Sequence, residues 1–140
     1  MVFSNYEVEA GSVTLPMAVT KAVGGLAYVS EIVPELPEMD LQSGTTYSRM
    51  RRTGHVNVML NQSLGFEIGR YDTEEGEVGL EQIPFRLPSN DVGEALPLFS
   101  GVKRVDFANG NDRTSDLFIR QIHPLPLTVL GIVDEVDIKE

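Results

Sequence analysis

The chain has 140 residues and a mass of 15.4 kDa, a length that supports one hydrophobic core and one domain. With 21 acidic against 11 basic residues its formal charge is −10, which disfavours a direct nucleic-acid-reading role because phosphate binding needs a basic face. The absence of cysteine excludes disulfide scaffolds, cysteine zinc sites and thiol nucleophiles, and an aromatic content of 7% without tryptophan weakens any broad stacking platform.

The first residues, MVFSNYEVEAGSVTLP, carry Glu7 and Glu9 and no basic segment ahead of an apolar run, so they do not read as a signal peptide. No stretch reaches the roughly 18 apolar residues of a membrane-spanning helix, and the expectation is a soluble protein or part of a soluble assembly without a membrane partner. Residues 16–23 (PMAVTKAV) have tolerable helix propensity but fit an extended segment equally well.

Thirteen glycines and eight prolines punctuate the chain, and the intervening segments alternate at period two. Residues 25–33 (GLAYVSEIV) read as a strand. Residues 55–60 (HVNVML) alternate more cleanly, with Val56, Val58 and Leu60 on one face, and residues 65–71 (GFEIGRY) follow a turn-like Asn61-Gln62-Ser63, so the two are expected to form a hairpin. Residues 71–77 (YDTEEGE) read as a charged, flexible excursion. Residues 81–87 (EQIPFRL) read as a short edge strand, since Pro84 has no N–H to donate. Residues 102–107 and 115–122 flank FANGNDRT, whose Asn109-Gly110 is the best tight-turn signal, and a second hairpin is expected there. Residues 127–138 (LTVLGIVDEVDI) predict a long final strand bent or bulged at Gly131. Such spacing predicts an all-β fold, an antiparallel sandwich or barrel with little helix and with consecutive strands mostly neighbours.

Little in this pattern carries chemistry. His55 and His123 lie far apart, no serine sits in a nucleophile elbow, and no glycine-rich loop opens a helix to hold phosphate. Asn109, Asn111 and Asp112 lack the calcium-loop pattern and fit a turn better. Asp134, Glu135, Asp137 and Glu140 fit a solvated terminal strand better than a cation site. No catalytic, cofactor or metal residue is assigned. The one local charge reversal is SRMRRT, residues 48–53. Arg49, Arg51 and Arg52 there either meet an acidic face of a neighbouring copy, face passing DNA, or form an ordinary exposed loop.

The order of four segments is more distinctive than any one of them: AVGGLAYVSEIVPELP, SGTTYSRMRRTGHVNVMLNQSLGFEIGR, ALPLFSGVKRVDF and DLFIRQIHPLPLTVLGI. This order resembles the C-terminal region of the tail nozzle proteins of short-tailed bacteriophages, the packaged-DNA stabilisation and tail tubular B-like proteins. The matching positions are Gly25, Leu26 and Tyr28; Leu36 and Pro37; Arg51 and Arg52; Ser63, Gly65, Ile68 and Gly69; Ser100, Gly101 and Arg104; and Ile119, Arg120, Gln121, Pro124, Leu125, Pro126 and Leu127. They span residues 23–133, in a chain far shorter than the resembled proteins, as a fragment, a split gene or a small virion component would be. Residues 1–22 lie outside the resemblance and are expected to be an N-terminal connector or arm, and residues 23–140 a single β-rich domain.

The resemblance implies a virion structural protein, not an enzyme, that assembles as a homo-oligomeric ring around the DNA conduit. Its partners would be copies of itself and other virion proteins, with DNA only as enclosed or passing cargo. It would be assembled in the host cytoplasm and located in the virion. Arg120, Gln121 and His123 are then expected to face outward as subunit contacts, beside Arg49, Arg51 and Arg52. A capsid decoration protein, or a receptor- or carbohydrate-binding module using Tyr6, Tyr28, Tyr47 and Tyr71, are the alternative readings.

Overall fold

The computed structural model describes residues 6–26, 28–35, 38–42, 44–47, 49–72, 74–90, 95–106, 113 and 116–139. Strands β1 (Ser30–Ile32), β2 (Asp40–Leu41), β3 (Gly44–Thr45), β4 (Arg51–Ser63), β5 (Glu67–Asp72), β6 (Gly76–Gln82), β7 (Phe99–Asp106), β8 (Asp116–Gln121) and β9 (Val129–Ile138) form in that order, with no helix among the described residues. Two antiparallel sheets, ordered β1-β8-β5-β6 and β7-β4-β9, make an all-β, sandwich-like fold, with β2-β3 as a separate small hairpin.

The core follows from alternation. β4 contributes Val56, Val58 and Leu60, all buried, and Val105 of β7 lies level with Val56. Against them pack Phe66, Ile68, Ile83 and Ile119. β4 runs 13 residues between two partner strands. A shift in register at Gly54 lets Arg51 and Thr53 share the inward row with Val56, opposite Ile138, Val136 and Asp134.

Several expectations need correction. The segments at 55–60 and 65–71 do form strands, but β4 and β5 belong to different sheets and are not a hairpin. At the crossing, the Ser63 hydroxyl donates to the Asn61 carbonyl at 2.9 Å and accepts the Thr128 N–H at 2.9 Å, and Leu64 N–H donates to the Pro126 carbonyl. Gly65 then takes φ +81°, a left-handed conformation open to glycine without strain. Asn61, Gln62 and Ser63, expected as a turn, are instead the end of β4, with Ser63 level with Phe99, and the chain leaves that sheet at Leu64 and Gly65 before Phe66 enters the core.

The strands at 102–107 and 115–122 likewise part company, β7 pairing with β4 and β8 with β5 and β1. β8, which lies between β1 and β5, buries Phe118 on one face and Ile119 on the other, whereas β7 buries Val105 between exposed Arg104 and Asp106. The Asn109-Gly110 turn lies outside the described residues. Consecutive strands are therefore neighbours only in β2-β3 and β5-β6.

Within the stretch 71–77, expected as a charged, flexible excursion, Tyr71 and Asp72 end β5, Gly76 and Glu77 open β6, and Tyr71 pairs with Glu77. Asp72 Oδ1 accepts the N–H groups of Glu74 and Glu75 at 2.7 and 3.2 Å, and these bonds hold its carboxyl below the ordinary range. The predicted strand at 81–87 begins earlier and ends at Gln82. Beyond it the Pro84 carbonyl accepts from Lys103 Nζ at 3.1 Å, and the same ammonium sits 5.0 Å from the ring centres of Phe85 and Phe99. Of the described residues between 25 and 33 only Ser30–Ile32 pair, and residues 16–23 are non-helical. The bend expected at Gly131 is present. Met59 pairs with Gly131 but Leu60 pairs with Val129, leaving Leu130 as the extra residue of a bulge.

Candidate functional site

The residues singled out from sequence divide into three groups. Arg51 faces inward and is 6% exposed, with its Nη2 donating to the Thr46 carbonyl at 3.3 Å. Thr46 is itself buried, and its hydroxyl accepts the Met39 N–H, so Arg51 pins the β2-β3 hairpin to the start of β4. Asp116 approaches from β8. Burial raises its carboxyl above the ordinary value against the opposing pull of Arg51, and its Oδ1 is buried without a hydrogen bond. Arg52 is exposed, level with Asp137, and Arg49 is half-buried. The basic segment thus joins an internal clasp through Arg51 and presents Arg52 to solvent.

Gln121 is a second correction. It is 6% exposed, and its Nε2 donates to the carbonyls of Gly65 and Leu64. Its Oε1 accepts the His123 N–H at 3.1 Å. An amide that satisfies the buried backbone at the sheet crossing is a structural residue, not an outward contact.

Arg120 does point to the opposite face, but its guanidinium is held there. It bonds Glu67 Oε2 through Nε and Nη2 at 3.1 and 3.0 Å, and Glu77 through Nη1. Desolvation acts against its charge, but the hydrogen bond to Glu67 and the fields of Glu77 and Glu67 outweigh it and raise its pKa. Glu31 stands level with Arg120 on β1.

His123 is half-buried and opens a second alternation, His123, Leu125, Leu127 and Val129, whose side chains turn inward between exposed Pro124, Pro126 and Thr128. With Tyr28, Ser30, Ile32, Ile119 and Gln121 they line a hollow of about 170 Å³. It lies where the short strand β1 leaves the end of the core uncovered. Ligand pockets usually measure about 300–1,000 Å³, so this hollow suits one inserted side chain better than a substrate.

On the outer face of the three-stranded sheet, Asp106, His55 and Glu135 stand level on three strands. His55 Nε2 lies 3.1 Å from Glu135 Oε2, and Arg104 reaches both His55 Nδ1 at 3.4 Å and Asp106 at 3.5 Å. Beside this charged row the same face exposes Met59, Val102, Leu130 and Val133. Neither the row nor the hollow was visible in sequence, because each joins positions tens of residues apart. The outward alternation of His55 with Val56 was the only local signal. Among the described residues no three of His, Asp and Glu converge as metal ligands.

No protein-family model matches the chain, and a search of curated proteins returns no match.

Proposed function

We propose that this chain is a structural protein of a bacteriophage virion, a tail nozzle or head–tail component that assembles as a ring around the DNA conduit. The ordered motifs between residues 23 and 133 suggest the location, and one structural observation carries the assembly. The sheet β7-β4-β9 ends in two long strands whose outer edges have no partner among the described residues. β9 bears three acids, Asp134, Glu135 and Asp137, and no cation, whereas β7 bears Lys103 and Arg104 against Asp106.

Open edges invite strand addition, and charge decides which. Two β9 edges repel each other, while β9 of one copy and β7 of the next attract. Both strands run antiparallel to β4 and hence parallel to each other, so copies related by rotation can pair them head to tail. Such a heterologous contact closes into a ring when the rotation closes. The net charge of −10 favours passage over retention, because an acidic wall does not hold DNA.

The test is class averaging of negatively stained particles that carry a tagged copy of the full chain. Added density on the tail axis is expected. A stable monomer that never associates with particles contradicts the proposal.

A further inference from the structure

Beyond the sheet edges, the molecule has a second unsatisfied surface. Residues 6–26 make no backbone hydrogen bond to the body among the described residues, their only such pairing being Glu9 with Ser12. Along this arm Val8, Val13, Met17, Val19, Val23 and Leu26 are all exposed, Val23 to 87% and Leu26 to 95%. So many large apolar side chains in one contiguous segment mark a surface that is covered in use.

We propose that the arm of one copy docks in the hollow of a neighbouring copy. Two features of the same chain complement each other here. The arm exposes apolar side chains, and the hollow, walled by Ile32, Ile119, Leu125, Leu127 and Val129 with Tyr28, Ser30, Gln121 and His123 as its polar part, has room for one of them. The arm enters the fold through Tyr28 and Ser30, which form one wall of that hollow, yet among the described residues none from 6 to 26 lines it and Val23 and Leu26 stay exposed beside it, which leaves the seat to a neighbour's arm.

Reach is sufficient. Twenty or so residues at about 3.3 Å each extend to roughly 70 Å, whereas a folded body of this size is only about 30–40 Å across. The docking force is apolar burial, so it strengthens as salt screens the repulsion between chains of net charge −10. Contacts led by opposite charges weaken under the same change. This inference rests on the self-assembly part of the reading above and assigns that assembly a strap from each copy to the next.

The chain has no cysteine, so single cysteines report cleanly. Full-length Val19→Cys and Val23→Cys proteins are each mixed with full-length His123→Cys protein, treated with a short bismaleimide, and read by peptide mass spectrometry and by size. Links between the arm of one copy and position 123 of another are expected. The charged full-length double variant Val19→Asp/Val23→Asp should weaken assembly at least 10-fold while its body remains folded, because both sites are exposed. Assembly of the parent without arm-to-hollow links, or with equal assembly by the charged variant, overturns the strap and leaves the ring reading standing. A parent that stays monomeric at every concentration and salt level overturns both.

Discussion

Residues 25–33 and residues 55–60 have the same alternating apolar pattern and opposite fates. Val56, Val58 and Leu60 are essentially sealed, because β4 has β7 on one side, β9 on the other and a second sheet above. Leu26, Tyr28, Val29, Ile32 and Val33 are exposed, and among the described residues of their segment only three pair, with β8 alone. Alternation makes a segment fit a half-buried pleated surface, but flanking strands and a covering layer turn that fitness into burial. The molecule therefore has a finished part, the two sheets, and an unfinished part, the arm together with the hollow at its root.

The contrast has consequences for stability. Phe66→Ala opens a void beside Phe85 and the β4 core row and should cost about 3–5 kcal/mol. Leu26→Ala should stay within about 0.5 kcal/mol, as exposed substitutions do. Urea unfolding of the two variants measures both, and comparable losses would erase the distinction between finished and unfinished parts. Gln121→Leu comes next. It strands the carbonyls of Gly65 and Leu64 at the sheet crossing and should cost about 1–3 kcal/mol, whereas an outward contact residue in the same place would cost almost nothing.

A smaller loss, about 1 kcal/mol, is expected from Arg120→Met, because its ion pairs are only partly shielded. It should shrink in high salt if solvent screens the cluster.

The smallest effects are those of pH, and two carboxylates oppose each other. Burial raises Asp116 in the folded state. Its favourable contribution is therefore complete below its unfolded pKa and is lost as pH rises through the higher folded value. Asp116→Asn should accordingly raise stability at pH 7 and change little near pH 3. Asp72 is lowered by the backbone bonds from Glu74 and Glu75. Its contribution is present above the unfolded pKa and fades as pH falls through the lower folded value, so Asp72→Asn should weaken the β5-β6 hairpin at pH 7. Denaturation midpoints of both variants against pH check the signs.

The strands were legible in sequence where alternation was clean, as at Val56-Val58-Leu60, and the bulge was legible from Gly131. Their partners were not. The rule that neighbours in sequence pair in space fails at Ser63 and Gly65, where a side-chain hydroxyl and a left-handed glycine send the chain into the other sheet. For β8, an apolar run buried on both faces was compatible with a hairpin until its two flanking strands were known. Two of the candidate contacts turn inward for a related reason. Polar type suggested that Arg51 and Gln121 face outward, but both serve buried carbonyls. That role depends on Thr46, Leu64 and Gly65, not on the residues beside them in sequence.

The central claim is that open, oppositely charged edges and an uncovered arm make this chain one unit of a closed assembly. Native mass spectrometry of the full chain across protein concentration tests it most directly. The expected result is a single closed oligomer with one copy number and no ladder of growing species. A monomer that persists at the highest concentration, or a dimer that never grows, would contradict it.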